Sequence, residues 1–276
     1  MQQMIRLVGL DMDGTLLKSD HSISPRNKQA ILEALDLGCK VVPATGRPVS
    51  GVPKELLALP GIDYAVTANG ATVFRLTDLE PVFTQWIPQK DMLAAWAAIA
   101  DLRCMRDVFV LGKAYNAEGD LARVERWAPP GMAAYLRARS NMVESLDAFA
   151  ATQTAFEKGN LFFLDEDERQ EARRRLEALD LFEITSSVSN NLELNAKGVN
   201  KGKALLALGE LLGLGRGQIM ACGDAGNDLE MLRAVGLGVA MGNAEPDIKA
   251  AASWVSATNE EDGVALAVEK FVLQKM

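Results

Sequence analysis

A chain of 276 residues is long enough for one large domain or two smaller ones. With 49% apolar and 24% charged residues it has the balance of an ordinary globular protein. Its formal charge of 29 − 37 = −8 excludes a surface built to grip a nucleic-acid backbone. A lone histidine, His21, excludes any site needing two, and its polar surroundings (KSDHSIS) make it a loop residue. Cys39, Cys104 and Cys222 are widely spaced and form no metal-ligand or redox pair; they read as reduced thiols of a cytoplasmic protein. The longest apolar run, Met92–Ala100, falls far short of the ~20 residues of a membrane helix. The opening MQQMIRLVGLDMDG has no signal-peptide core.

In chain order, Arg6–Asp11 is a short apolar strand ending in a carboxylate. Ser24-Pro25 caps a helix. That helix carries Ala30, Ile31, Ala34, Leu35 and Leu37 as its apolar stripe and stops at Gly38. Lys40–Ala44 is a second strand, ending at Thr45-Gly46-Arg47, and Tyr64–Thr67 a third, followed by Ala68-Asn69-Gly70. The middle, roughly 85–189, mixes strand-like pieces (Asp107–Leu111, Asn160–Leu164) with helices, among them the heavily charged Glu166–Leu179. It reads as an inserted α/β domain. The last third returns to the first pattern. A helix spans about Asn200–Leu212 with Ala204, Leu205, Leu208, Leu211 and Leu212 on its stripe. Strand Gln218–Cys222, helix Asp228–Val235, strand Leu237–Met241 and a short strand Ser253–Ser256 follow. Such βαβ alternation predicts a Rossmann-like parallel sheet with helices on both faces. The piece GLGRG (213–217) precedes a strand and lacks the Lys-Ser/Thr ending of a phosphate loop, so it is a helix stop and loop.

Asp11, Thr45 and Asp224 each fall just beyond a predicted strand's carboxyl end, where open α/β sheets bind ligands. Lys201, at a helix start, can point at the same crevice. Asp11-Met12-Asp13-Gly14-Thr15 carries two carboxylates at i, i+2. One can attack phosphorus and the other can move a proton, beside a magnesium ion that favours oxygen ligands. D-x-D also opens a calcium loop, but that loop needs glycine at its sixth position and glutamate at its twelfth, and here those are Leu16 and Ser22. A pair of surface aspartates in a turn does not suit the apolar strand before them. In Gly223-Asp224-Ala225-Gly226-Asn227-Asp228, Asp224 completes a metal site, Asp228 lies one helical turn on, and Asn227 can donate to phosphate. Alone this segment could be only a helix cap. Thr45 and Gly46 offer a hydroxyl and N–H groups to phosphate. Arg47 contacts phosphate or leaving group, or forms a structural ion pair. Lys201 neutralises the charge of a transferred phosphoryl group.

The set DMDGTL, ATGRP, GVNKGKAL and GDAGNDLEML resembles the haloacid dehalogenase (HAD) superfamily, and within it the Cof-type phosphatases of subfamily IIB. TANGA (67–71), Leu192–Leu194 and NEEDGVA (259–265) agree. The likeness covers about 5–84 and 190–276; Met12 and Cys222 stand at variable apolar positions. The resemblance implies a HAD-like catalytic core from 1–84 and 190–276 and an α/β cap over 85–189 that chooses the substrate. It implies Asp11 as nucleophile and metal ligand. Asp13 is then the acid/base and a further metal contact. Asp224 and Asp228 complete the Mg²⁺ site. Met12, Thr45, Gly46, Arg47, Lys201 and Asn227 hold phosphate. The function so implied is Mg²⁺-dependent hydrolysis of small phosphomonoesters, sugar phosphates foremost, by a cytoplasmic monomer or small homo-oligomer with no nucleic-acid or membrane partner. The alternatives are phosphomannomutase-like transfer, a pyridoxal-phosphate or flavin-mononucleotide phosphatase, and a non-catalytic Mg²⁺/phosphate-binding regulator. Within the cap, Arg103, Arg106, Arg123, Arg126, Arg137 and Arg139 make one stretch locally basic.

Overall fold

The computed structural model describes residues 4–128 and 130–275. The chain forms two compact units: residues 1–46, 52–84 and 200–276, and residues 47–51 and 85–199. The second unit thus takes in Arg47–Gly51 and runs on to Val199, beyond the 85–189 span read from the sequence.

In the first unit a five-stranded parallel sheet has the order Trp254–Val255, Leu237–Ala240, Ile219–Gly223, Leu7–Leu10, Lys40–Pro43. The chain moves outward on one side of Leu7–Leu10, then returns to build on the other. The strand order therefore reverses between Leu7–Leu10 and Ile219–Gly223. These two pair in register, Leu10 opposite Cys222, so the next residues, Asp11 and Asp224, leave the sheet side by side. Tyr64–Thr67 does not simply extend the sheet. It joins through one parallel bridge, Ala44 to Val66, and then opens an antiparallel meander with Thr72–Arg75 and Glu80–Thr84.

Helices flank the sheet for the reasons the sequence supplies. Pro25–Asp36 starts where the Ser24 hydroxyl accepts from the Asn27 N–H, and it buries Ala30, Ile31 and Ala34. The Asn27 side chain in turn accepts from the Ala265 N–H at 2.8 Å, tying this helix to Gly263–Phe271. Lys201–Leu211 is capped by Asn200, whose side chain accepts from the Lys203 N–H. Two expected stripe residues are exposed, Leu37 at 59% and Leu211 at 58%, while Leu35 and Leu212 are half-buried. Leu37 lies past its helix's last turn. Leu211 lies on the side of the buried Ala204 but is the last residue of its helix, so less of the chain covers it. Asp228–Val235 divides into a 3-10 turn, Gly226–Asp228, and a short helix, Leu229–Ala234.

The second unit is a six-stranded, mainly antiparallel sheet in the order Phe182–Thr185, Asn191–Ala196, Lys158–Phe163, Cys104–Val110, Lys113–Ala117, Ser140–Val143. One of its faces carries buried polar side chains, among them Asp107, Asn116, Lys158, Asn160 and Glu193. Arg139 donates to Asp107 at 2.5 Å, Asn160 donates to the same carboxylate, and Lys158 pairs with Glu193 at 2.8 Å.

Candidate active site

The Asp11 N–H still bonds the Cys222 carbonyl (3.0 Å), so the backbone remains sheet-like up to the carboxylate. The chain then turns: Leu16 N–H bonds Asp11 O and Leu17 N–H bonds Met12 O. Gly14 adopts φ +83°, and a Cβ there would lie 2.3 Å from Asp224 Oδ2. A side chain at 14 and the Asp224 carboxylate compete for the same space, so glycine is required twice over. Asp224 Oδ1 accepts from the Thr15 hydroxyl at 2.7 Å.

Carboxylate oxygens of Asp11, Asp224 and Asp228 lie within 4.8 Å of one another. One cation answers them. Lys201, fully buried, places Nζ 2.5 Å from Asp11 Oδ1 and 2.7 Å from Asp228 Oδ1. The other Asp228 oxygen accepts from the Asp224 and Ala225 N–H groups (3.0 and 3.1 Å). Both Asp228 oxygens are thus committed to protein donors, and its visible work is to hold Lys201 and the Asp224 loop in place. Gly223 makes room for it: a Cβ would sit 2.5 Å from that of Asp228.

The electrostatics follow from burial. Burial, then Asp228, push the Asp11 carboxyl well above the usual range, and Lys201 pulls it back only in part. Burial is also the main reason that Asp224 rises to about 6, against the Thr15 hydrogen bond. Burial by itself would depress the Lys201 ammonium; Asp11 and Asp228 together outweigh it and hold it raised. The donor set is all oxygen and short of positive charge, which fits a hard divalent cation such as Mg²⁺.

The other predicted residues divide. Met12 is fully buried beneath the turn. Thr45 is buried, its N–H bonded to Val66 O and its carbonyl to the Asn69 N–H. Gly46 ends this stretch of the first unit. Asn227 donates to Asn69 at 3.4 Å. Asp13 is exposed, outside the three-carboxylate cluster, with His21 Nδ1 3.8 Å from its Oδ1. Arg47 groups with the second unit: its guanidinium lies 4.9 Å over the Tyr135 ring and donates to Gly51 O. Cys222, buried directly behind the site, is pushed up to about 12 by burial and stays an inert thiol.

Sequence reasoning passed over Asn69 and Asn243 as site residues. Asn69 is buried, with φ +59° between Ala68 at +49° and Gly70 at +101°, a strained run of the kind found at functional sites. Asn243 donates to the Gly14 carbonyl at 2.8 Å and faces Asp224 Oδ2 at 3.5 Å. Both follow strand ends, the rule that located Asp11, Thr45 and Asp224.

A doubly wound sheet with clustered carboxylates and a buried lysine at its switch point has the active-site layout of an α/β enzyme. The family model of haloacid dehalogenase-like hydrolases matches residues 8–268. A 5-amino-6-(5-phospho-D-ribitylamino)uracil phosphatase of Bacillus subtilis is 33% identical over 98% of this chain and 96% of its own. A haloacid dehalogenase-like hydrolase from Bacteroides thetaiotaomicron superposes with TM-score 0.83 at 25% identity, covering 96% of this chain and 99% of the other. A HAD subclass IIB sugar phosphatase does so with TM-score 0.79 at 27% identity, over 96% and 98%. The chain belongs to the haloacid dehalogenase-like hydrolases, and it is a phosphatase of subclass IIB.

Proposed function

We propose that this phosphatase hydrolyses small phosphomonoesters, sugar phosphates and related polyol phosphates foremost, through a phosphoryl group carried transiently on Asp11, and that it requires Mg²⁺. The observation that carries the reading is the buried Asp11 carboxylate beside Lys201 and Asp224 at the switch point of the sheet. The bacillar relative, whose name specifies a phosphorylated ribityl compound, and the sugar-phosphatase neighbour both support this substrate class.

Asp11 attacks phosphorus as its P–O bond to the alcohol breaks, and Asp13 delivers a proton to the departing oxygen. Water then attacks the acyl phosphate, gives a proton to Asp13 and restores the Asp11 carboxylate. Lys201 holds Asp11 in place and offsets charge on the transferred group. Thr45, Gly46 and Asn227 donate to the phosphate oxygens. Asp11, Asp224 and the Asp13 carbonyl would hold Mg²⁺, with Asp228 bracing them. When bound, the ion supplies positive charge to the phosphate oxygens and keeps Asp11 ionised. That need is specific: burial favours the protonated Asp11 carboxyl, which is no nucleophile.

The second unit is the reader of the leaving group, because metal and phosphate are common to every phosphomonoester. Its arginines are mostly engaged already. Arg103 pairs with Glu168, Arg106 with Asp147, Arg137 with Glu125 and Arg139 with Asp107, while Arg123 donates to Gly119 O. Recognition by neutral polar groups suits a polyhydroxyl leaving group better than an anionic one. The test is a phosphate-release screen over sugar phosphates, ribityl phosphates, nucleotides, pyridoxal phosphate and flavin mononucleotide. Full release after exhaustive chelation would overturn the Mg²⁺ requirement. Phosphate returned to sugar only with a sugar bisphosphate present would make the enzyme a mutase.

A further inference from the structure

We propose that Asn243 and the turn Asn259–Glu261 form a clamp that positions the Asp11–Ser19 loop against Asp224, and so sets the place of Asp13; the inference rests on the catalytic roles proposed above. The NEEDG segment has no part in the chemistry, yet its side chains reach the nucleophile loop from some 240 residues away in sequence.

The clamp holds at three places along one loop. Asn243 Nδ2 donates to the Gly14 carbonyl at 2.8 Å. Asn259 Nδ2 donates to the Leu17 carbonyl at 2.9 Å. Glu260 Oε1 accepts from both the N–H and the hydroxyl of Ser19, each at 2.7 Å. The pieces are also joined to one another, since Asn243 Oδ1 accepts from the Asn259 N–H at 3.0 Å. Asn243 therefore uses both ends of its amide, one as donor and one as acceptor. It sits where the Gly14 carbonyl and the Asp224 carboxylate meet, at 3.5 Å from Asp224 Oδ2. An aspartate there would keep the acceptor, lose the donor, and place a second carboxylate beside Asp224.

The mount is rigid. Thr258 and Glu261 cap the turn reciprocally, the Thr258 hydroxyl donating to Glu261 Oε2 at 2.9 Å. Asp262 follows at φ +60°, and a Cβ on Gly263 would lie 2.2 Å from Ala257 O. Gly242 N–H bonds Ala257 O, and the Ser256 hydroxyl donates to Gly263 O. The turn is thus fixed to the strand ends Leu237–Ala240 and Trp254–Val255. Asp13 lies between Met12, anchored in the core, and Gly14, held by Asn243. A side chain that must meet a leaving-group oxygen gains from this, because small displacements of an acid/base are costly.

The variants are Asn243→Ala, Asn243→Asp and Asn259→Ala. Two readouts are needed: hydrogen–deuterium exchange of residues 12–19 in the metal-free protein, and kcat and KM with Mg²⁺. The clamp predicts that loop amides exchange at least about tenfold faster in Asn243→Ala, with helix Lys201–Leu211 unchanged. It predicts kcat down at least about tenfold with KM within about twofold, and Asn243→Asp no better than Asn243→Ala. Asn243 is exposed, so its variants fold even if Asn259→Ala does not. Unchanged exchange of the loop overturns the clamp, and so does a kcat within twofold of wild type in Asn243→Ala. An inactive wild-type protein would overturn the proposed function instead, leaving the exchange result to decide the clamp.

Discussion

Lys201→Met removes the cation that contacts the two buried carboxylates Asp11 and Asp228 while keeping much of the side chain's volume. In wild type, Nζ lies 2.5 Å from Asp11 and 2.7 Å from Asp228, and all three groups are buried. Removing one partner of a buried ion pair costs about 3–5 kcal/mol because the charge left behind has neither water nor counter-ion. The deficit depends on pH with a definite sign. Asp11 is already raised, and losing Lys201 raises it further. A carboxyl raised in the folded state contributes stability that is fully present below its unfolded pKa of about 3.9 and is lost as pH rises through the folded value. Lys201, raised itself, is charged in the wild type throughout the range below about 10. The variant's deficit is therefore small in acid, where Asp11 takes up a proton, and grows toward neutrality. Urea unfolding of the metal-free wild-type and variant proteins at pH 5 and pH 8 measures it. We expect a deficit of about 3–5 kcal/mol at pH 8 and one at least ~1 kcal/mol smaller at pH 5. A deficit under ~1 kcal/mol at pH 8, or an equal one at both pH values, would refute the argument that Lys201 exists chiefly to neutralise these two carboxylates.

Asp11→Asn keeps the shape and removes the proposed nucleophile, so kcat is expected to fall by well over tenfold, more than ~1.4 kcal/mol of transition-state stabilisation. The melting temperature of the metal-free variant does not drop, because burial and Asp228 already disfavour charge at that position; a variant keeping a tenth of wild-type kcat rules Asp11 out as nucleophile. Asp224, held at about 6, is partly protonated at pH 6 in the metal-free protein, and its stabilising contribution is lost as pH climbs through that value. Mg²⁺ binding followed calorimetrically in buffers of different ionisation heat releases protons at pH 6 and fewer at pH 8; heats independent of buffer at pH 6 would contradict this.

The candidate site was legible because its residues follow strand ends, and a parallel sheet gathers strand ends that lie far apart in sequence. Asp11 and Asp224 are neighbours for no other reason than the pairing of Leu10 with Cys222. The same rule reaches Asn69 and Asn243, but asparagines after strands are common in turns, so composition alone gives them no chemical mark. Leu211 shows a second limit. Its spacing suits the stripe, but it is the last residue of its helix, and periodicity does not tell where along a helix burial ends. The second unit was least legible. Its arginines form a basic stretch in sequence, while their acidic partners, Glu168, Asp147 and Asp107, come from other elements and cancel the charge in space. Arg47 directly follows the Thr45-Gly46 loop, yet it packs on Tyr135, a contact that only the folded second unit supplies.

Charge arithmetic at the centre explains why these features belong together. Asp11, Asp224 and Asp228 against Lys201 leave 1 − 3 = −2 in a buried space. Without a cation the protein lowers that charge by binding protons, which is why burial lifts Asp11 and Asp224 rather than leaving both ionised. A divalent cation bound here would cancel the excess and displace those protons. On the proposed reading, Asp11 would then be ionised only when the positive charge for the phosphate is also in place. Both Asp228 oxygens are occupied by protein donors, one by Lys201 and the other by two backbone N–H groups. Asp11 and Asp224 are less fully held: Asp11 has one oxygen on Lys201, and Asp224 has one on the Thr15 hydroxyl with Asn243 3.5 Å from the other. Under the proposed Mg²⁺ requirement, metal occupancy and Asp11 ionisation would be a single linked equilibrium.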